Sequence, residues 1–295
     1  MGAGGEDQES LTSAAEARDS KASGRILVFV PMYNCATQVQ RVLGRIAAPS
    51  VASVIDGVLC IDNRSSDGTL EAARRAIERV PVAERIVMQN AENYGLGGSH
   101  KVAINEARER EYCYLVVLHG DDQGDIGDLV PLLEAGAHRQ VDFLMGARFM
   151  RGSKLMGYSK LRVFANITFN LIFSVVCRRK LYDLGSGLNL FRVSAFDDDF
   201  HRQYADDLTF NYFLILGIAA LGKRLVFFPL SWREEDQVSN ARLFRMGLQL
   251  LRIVALRRFR PRLLLEGEHR QTPREAYSAT TLSYFSAGGA TDANA

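Results

Sequence analysis

The chain has 295 residues, 47% of them hydrophobic and 24% charged, and its 36 Lys and Arg nearly balance 34 Asp and Glu for a net charge of +2. This composition excludes a disordered chain, a collagen and a disulfide scaffold, and the charge balance excludes a strongly basic nucleic-acid coat, so no nucleic-acid partner is expected. The length suits one α/β domain with tails.

Residues 1–23 are rich in Gly, Ser, Ala and charge and read as a disordered tail with no apolar core of a signal peptide. At Arg25 the texture changes to RILVFVPMY (25–33), a continuous apolar run of the kind that forms a strand buried on both faces. A helix over 36–47 follows, then a strand over 57–63, a helix over 69–80, a strand over 85–90 and a helix over 99–110. A strand over 114–122, a helix near 126–138 and a strand over 143–148 complete the series. Strands alternating with helices of this length predict right-handed crossovers and a parallel sheet.

The second half differs. Residues 159–177 and 207–221 are apolar helices, DLGSGLNLF (183–191) lies between them, 225–232 is a strand, and 240–259 is a basic helix. No run reaches the 18–20 uninterrupted apolar residues of a membrane span. Asn166, Thr168, Asn170 and Asn211 interrupt the two apolar helices, which are expected in a core or an interface. The predicted organisation is a disordered tail at 1–23, an α/β domain at 24–235, a basic amphipathic helix at 236–262 and a flexible tail at 263–295. Cys35, Cys60, Cys113 and Cys177 form no CxxC pair and are expected to be buried free thiols, which suits a reducing, cytoplasmic setting.

Ligands of an open parallel sheet bind beyond the carboxyl ends of its strands. Those ends carry Pro31-Met32-Tyr33-Asn34, Asp62 through Gly68, Asn93-Tyr94-Gly95, His119 through Gln123, and Gly146-Ala147-Arg148. An aromatic ring, carboxylates, glycines and an arginine suit a nucleotide with a divalent cation. HGDDQGD is the sharpest signal. Asp121 and Asp122 repel one another at a strand end, and Mg²⁺ or Mn²⁺ would relieve this; His119 and Asp121, two apart on an extended segment, share a face. A solvated acidic turn is the competing reading. NYGLGG (93–98) does not match GxGxxG, so a dinucleotide-binding turn is not supported.

In order, VPMYN, IDNRSSDGT, NYGLGG, LHGDDQ, GARF, DLGSGLNLF and SWREEDQVSNARLF resemble the family 2 glycosyltransferases, most closely the dolichyl-phosphate mannose synthase-like, polyprenyl-phosphate branch, over residues 25–255. The resemblance implies a GT-A fold: a Rossmann-like, mostly parallel central sheet flanked by helices, here with a C-terminal helical extension. It also implies inverting transfer of a sugar from a nucleoside-diphosphate sugar, UDP- or GDP-linked. By position, Pro31, Tyr33 and Asn34 would line the base pocket and Asp62 would hold the base. Asp121 would ligate the metal and diphosphate, with His119 and Gln123 in the same metal motif. Arg148 would lie near the donor phosphates or acceptor. Asp183, Ser186 and Gly187 would lie by the sugar and acceptor, and Arg242 would reach the diphosphate. Two positions depart from the family: Cys35 stands where Glu is usual, and His119 replaces the first Asp of the metal motif, which leaves the metal's identity open.

The implied chemistry is stabilisation of the leaving diphosphate by a metal on Asp121 and by Arg148 and Arg242. A polyprenyl phosphate acceptor arrives ionised and needs no strong general base. A saccharide hydroxyl in envelope polysaccharide synthesis needs one, with Asp183, Asp206 and Asp207 as candidates. A nucleotide-sugar-binding protein without turnover is the reading from another class. Residues 240–260, with six arginines among apolar residues, either lie on an anionic leaflet at the cytoplasmic membrane face or pack on the domain with a solvated basic face.

Overall fold

The computed structural model of the chain describes residues 24–234, 243–286 and 289–291. Strands β1 (Ile26–Met32), β2 (Gly57–Asp62), β4 (Tyr114–Leu118) and β5 (Phe143–Ala147) are buried at every position, because each is covered on both faces. They join β3 (Glu84–Asn90), β7 (Leu188–Arg192), β8 (Leu225–Pro229), β10 (Ala279–Ser286) and β11 (Gly289–Thr291) in one nine-stranded sheet ordered β11-β10-β3-β2-β1-β4-β7-β5-β8. β1 is parallel to both β2 and β4, and β5 to β8, whereas β7 and β10 run antiparallel to their neighbours.

Alternation along β1 divides the core. Leu27 and Phe29 pack with α4 (Gly95–Glu109) and α7 (Phe210–Ala220) on one face; Val28 and Val30 pack with α1 (Ala36–Ile46) and α3 (Thr69–Ile77) on the other. α2 (Pro49–Ala52) is a single turn. The first glycines of α4 serve close packing: a Cβ at Gly97 would stand 2.4 Å from the Ala205 carbonyl oxygen, and the Gly97 N–H donates to Asp206 O.

Several boundaries differ from expectation. The strand expected over 114–122 stops at Leu118, and the residues after it form the rim loop. The helix near 126–138 is instead a 3₁₀ turn at Ile126–Asp128, a short α5 (Val130–Glu134) and a second 3₁₀ turn at Ala137–Gln140, interrupted at Gly136, which adopts φ +68°. The strand expected over 225–232 breaks at Leu230, after which β9 (Ser231–Arg233) leaves the main sheet to pair with β6 (Lys154–Met156). Cys35 and Cys60 are buried, but Cys113 is exposed and Cys177 half-buried; all four are free.

The C-terminal region corrects the predicted organisation most. α8 (Leu243–Phe259) buries Leu250, Ile253 and Val254 in the main core, so it belongs to the domain. Residues 263–295 were expected to be a flexible tail. Instead α9 (Pro261–Glu266) is followed by β10, which adds to the edge of β3, where the Tyr284 hydroxyl donates to Glu84 at 3.0 Å. An open strand edge is a template for pairing, and TTLSYFS supplies the β-branched and aromatic residues that fit it. Before that strand, Tyr277 and Arg274 both donate to Asp206, at 2.6 and 3.1 Å, and Lys101 donates to it at 2.7 Å. Residues 1–23 lie outside the described residues.

A chain ending at Gly267 would lose β10 and two of the donors to Asp206. The expected result is a melting temperature lower by at least about 5 °C and concentration-dependent light scattering from the uncovered β3 edge. An unchanged melting curve would show that this segment contributes nothing to the fold.

Candidate active site

Strand order reverses at β1, which lies between β2 and β4, so the crevice beyond these carboxyl ends is the natural ligand site. The Gly120 N–H donates to the Pro31 carbonyl at 3.1 Å and ties the β4 loop to the end of β1. Beyond it lies a cleft of about 280 Å³ lined by His119, Asp121, Gln123, Arg148, Tyr158, Arg162, Trp232 and Glu234 among others.

The two adjacent carboxylates part company here. Asp122 takes a left-handed backbone, φ +63°, and turns its buried carboxylate to Arg41 at 2.6 Å and Arg45 at 3.1 Å, one turn apart on α1. Its counter-ions are therefore protein arginines, which corrects the expectation that a divalent cation is needed to relieve its repulsion with Asp121. Asp121 lines the cleft and accepts a 3.3 Å hydrogen bond from the Gln123 N–H. Burial, reinforced by the nearby Asp122 charge, pushes its carboxyl up to about 6. His119 is held below its usual range, at about 4, by burial and by the Arg148 charge, so it is neutral at pH 7; its buried Nε2 has no hydrogen-bond partner among the described residues.

A neutral imidazole and an ionised carboxylate on one cleft fit a divalent cation. Among the described residues no cluster of three or more His, Cys, Asp or Glu could hold a metal alone. That suits an ion whose other positions are taken by substrate phosphate oxygens and water, as is usual for Mg²⁺. A Cβ at residue 187 would stand 2.9 Å from the His119 ring, so Gly187 is required where that ring packs.

Arg148 is locked. Its Nε and Nη2 donate to the two oxygens of Asp183 at 2.8 and 2.7 Å, its backbone N–H adds a third bond at 2.8 Å, and its guanidinium lies 4.9 Å from the Trp232 ring centre. Asp183 thus stands behind the cleft wall, spent on Arg148. Ser186 is also behind the wall: its buried hydroxyl donates within its own turn, to Leu188 O and Asn189 Oδ1, both at 3.2 Å, and it lines no part of the cleft. The other two candidate bases are engaged as well. Asp206 binds Lys101, Tyr277 and Arg274, and Asp207 caps Thr209 at 2.8 Å. Glu234, a cleft carboxylate the sequence reading missed, is ion-paired with Arg162.

The end of the rim where the resemblance expects the base adjoins this cleft. Tyr33 is 55% exposed at the end of β1. Asn34, at φ +50°, accepts from the Ser66 N–H at 2.9 Å and donates its own N–H to Ser65 Oγ at 3.0 Å, fixing the loop after β2 beside the loop after β1. Asp62 is fully buried and accepts from Gln89 at 2.9 Å and from the Ser65 N–H. Pro31 is buried in the sheet, where it contributes its carbonyl to Gly120. Cys35, where the resemblance expects Glu, is buried; burial pushes its thiol up to about 11, with the Asp121 charge adding to the shift. The two ends of the rim are thereby adjacent. Arg242 lies outside the described residues. Arg162, Tyr158 and Trp232 enter the cleft from the second half of the chain; SWREED, within the resembling stretches, was the one signal for the last of these.

A mostly parallel sheet with this rim defines a GT-A glycosyltransferase fold. Residues 27–200 match glycosyl transferase family 2, and the chain belongs to that family. The chain is similar to the dodecaprenyl-phosphate galacturonate synthase of Rhizobium johnstonii, with 25% identity over 253 residues, 83% of this chain and 70% of the relative. It is similar in structure to glucosyl-3-phosphoglycerate synthase from Mycobacterium tuberculosis in complex with Mn²⁺, UDP and glucosyl-3-phosphoglycerate (TM-score 0.57, 16% identity, 88% of each chain). It is also similar to mannosyl-3-phosphoglycerate synthase from Rubrobacter xylanophilus (TM-score 0.55, 18% identity, 94% of this chain and 88% of that one).

Two outcomes are expected. Asp183→Asn strands the buried Arg148 charge and should cost about 3 kcal/mol in urea denaturation; a stability within experimental error of the parent would refute the pairing. For Asp121 the sign follows from its raised folded value: the ionised, buried form destabilises the protein above pH 6, and stability is regained as pH falls from about 6 towards the unfolded value. A cation on Asp121 offsets that penalty. Mn²⁺ should therefore raise the melting temperature at pH 7.5, less so below pH 6, and not at all in Asp121→Asn; an equal shift in that variant would place the metal elsewhere.

Proposed function

We propose that this glycosyltransferase moves a sugar, with inversion, from a UDP- or GDP-sugar to a polyprenyl phosphate at the cytoplasmic face of a membrane. The observation that carries the proposal is that, among the described residues, the candidate bases around the cleft are already engaged. Among the described residues Asp183, Asp206 and Glu234 are each paired with a cation and Asp207 is engaged by Thr209, while Asp121 is the carboxylate suited to the metal. A hydroxyl acceptor must lose a proton in the transfer; a phosphate monoester, with its second pKa near 6, is already ionised at pH 7. The likeness to a dodecaprenyl-phosphate galacturonate synthase supports the same acceptor class.

In this reading the base stacks on Tyr33, and Asn34 and Asp62 shape its pocket beside Pro31. Asp121 and His119, with Gln123 beside them, would hold Mg²⁺ or Mn²⁺, which would neutralise diphosphate charge when bound. Arg148 is a fixed positive charge at the cleft: Asp183 sets its direction, and burial leaves the attraction little screened. Arg162 adds a second cation where the acceptor phosphate would enter, and Arg242 would reach the diphosphate, as the family resemblance implies. Gly187 seats His119, and Ser186 fixes the turn that carries it. The acceptor oxygen attacks the anomeric carbon opposite the diphosphate. The C–O bond to the diphosphate breaks as the new one forms, and the developing negative charge falls on groups already in position.

The test is a screen of UDP- and GDP-sugars with a short polyprenyl phosphate beside saccharide acceptors, read by product mass. Transfer to the lipid phosphate is expected. Asp121→Ala should lower kcat at least about 100-fold with the fold intact, and Tyr33→Ala should weaken nucleotide affinity about tenfold. Transfer to saccharide hydroxyls alone would sink the acceptor assignment, and undiminished turnover in Asp121→Ala would sink the metal site.

A further inference from the structure

The helix α6 (Lys160–Cys177) has an unusual surface for a domain of this kind. Leu161, Phe164, Leu171 and Val175, spaced three, seven and four apart on one face, are each between 64 and 71% exposed, whereas only Asn170 and Phe173 of this helix are buried. The helix passes for a membrane span by length and composition. Its 18 residues, however, reach about 27 Å, and both ends are tied to the domain. Arg162 pairs with Glu234 at one end, and just past the other end Arg179 donates to the Lys223 and Leu225 carbonyls. It therefore lies along the surface. α8 runs beside it: a Cβ at Gly247 would stand 3.5 Å from the Phe169 ring, and Arg257 and Arg258 line one cavity with Val175 and Arg178. Leu248, Leu251 and Phe259 of α8 are exposed as well.

Charge decides what covers this face. Residues 160–180 hold five basic residues and 243–262 hold six, and neither stretch contains an acidic one, in a chain whose net charge is +2. Two copies meeting through such a face would bring like charges together, whereas an apolar stripe flanked by Arg and Lys matches an anionic lipid leaflet. We infer that the outer face of α6, with the basic ends of α6 and α8, is the membrane-docking surface of this protein. The inference deepens the lipid-acceptor reading and rests on it for its purpose. Arg162, in the first turn of the same helix, lines the cleft, so docking α6 brings the cleft mouth to the leaflet from which a lipid phosphate would enter. It also assigns the contact chiefly to α6, the helix whose sequence suggests a core or an interface, rather than to α8 alone, which buries Leu250, Ile253 and Val254 in the core.

The test is flotation of the full chain with vesicles of phosphatidylcholine containing phosphatidylglycerol and with phosphatidylcholine alone, without sugar donor or acceptor, so that its outcome is independent of the transfer assay. Binding is expected to the anionic vesicles and to weaken with salt. Phe164→Glu with Leu171→Glu, and separately Arg178→Glu with Lys180→Glu, should each reduce it at least about tenfold, with circular dichroism and UDP or GDP affinity as in the parent. No binding by the parent, undiminished binding by both variants, or a parent dimer that Phe164→Glu with Leu171→Glu dissociates would overturn the inference.

Discussion

The rim of the sheet is organised by one asymmetry of charge. Asp121 and Asp122 are adjacent in the chain, yet a single left-handed residue sends the second into a pair of arginines on α1 and leaves the first in the cleft without an ion-pair partner among the described residues. Raising a carboxyl from its ordinary value to about 6 corresponds to roughly 3 kcal/mol of unfavourable environment for the ionised form. The fold carries that cost at Asp121, which lines the cleft. Asp183, Asp206 and Glu234 all sit in ion pairs. A buried pair is at best a modest source of stability, so the clearer consequence of these pairings is chemical: they engage Asp183, Asp206 and Glu234 and fix Arg148 in place.

The sheet topology makes this arrangement possible. Reversal of strand order at β1 opens the crevice, and the antiparallel β7 lets the chain re-enter beside β4, so that Gly187 backs the His119 ring and its carbonyl receives the His119 N–H at 2.9 Å. The small β6–β9 pair then brings Trp232 and Glu234 to the cleft from a distant part of the chain. Rigid placement by crossing elements is what electrostatic stabilisation requires, since groups that must reorganise during the reaction contribute less.

Much of this was legible in the sequence. Continuous apolar runs at 26–32, 57–62 and 114–118 are what strands covered on both faces must be, and the strand ends named Tyr33, Asp62, Asp121 and Arg148 because ligands of such sheets bind there. The ordered motifs supplied the family, which the match over 27–200 bears out. The same reasoning failed for 263–286, where a polar segment became β10 because an unpaired edge was available to it, and it left open for α6 whether its apolar residues meet a core or an interface, a choice the exposed outer face decides against the core.

Local pattern determines what is set by neighbours in the chain: hydrophobic period, turn residues, and the chemical types that gather at a rim. Pairing across the chain decided the rest. That Asp122 belongs to Arg41, Asp183 to Arg148 and Glu234 to Arg162 depends on elements 35 to 81 residues apart meeting in space. No local rule encodes such a partner, since an ion pair depends on distance and burial rather than on sequence separation.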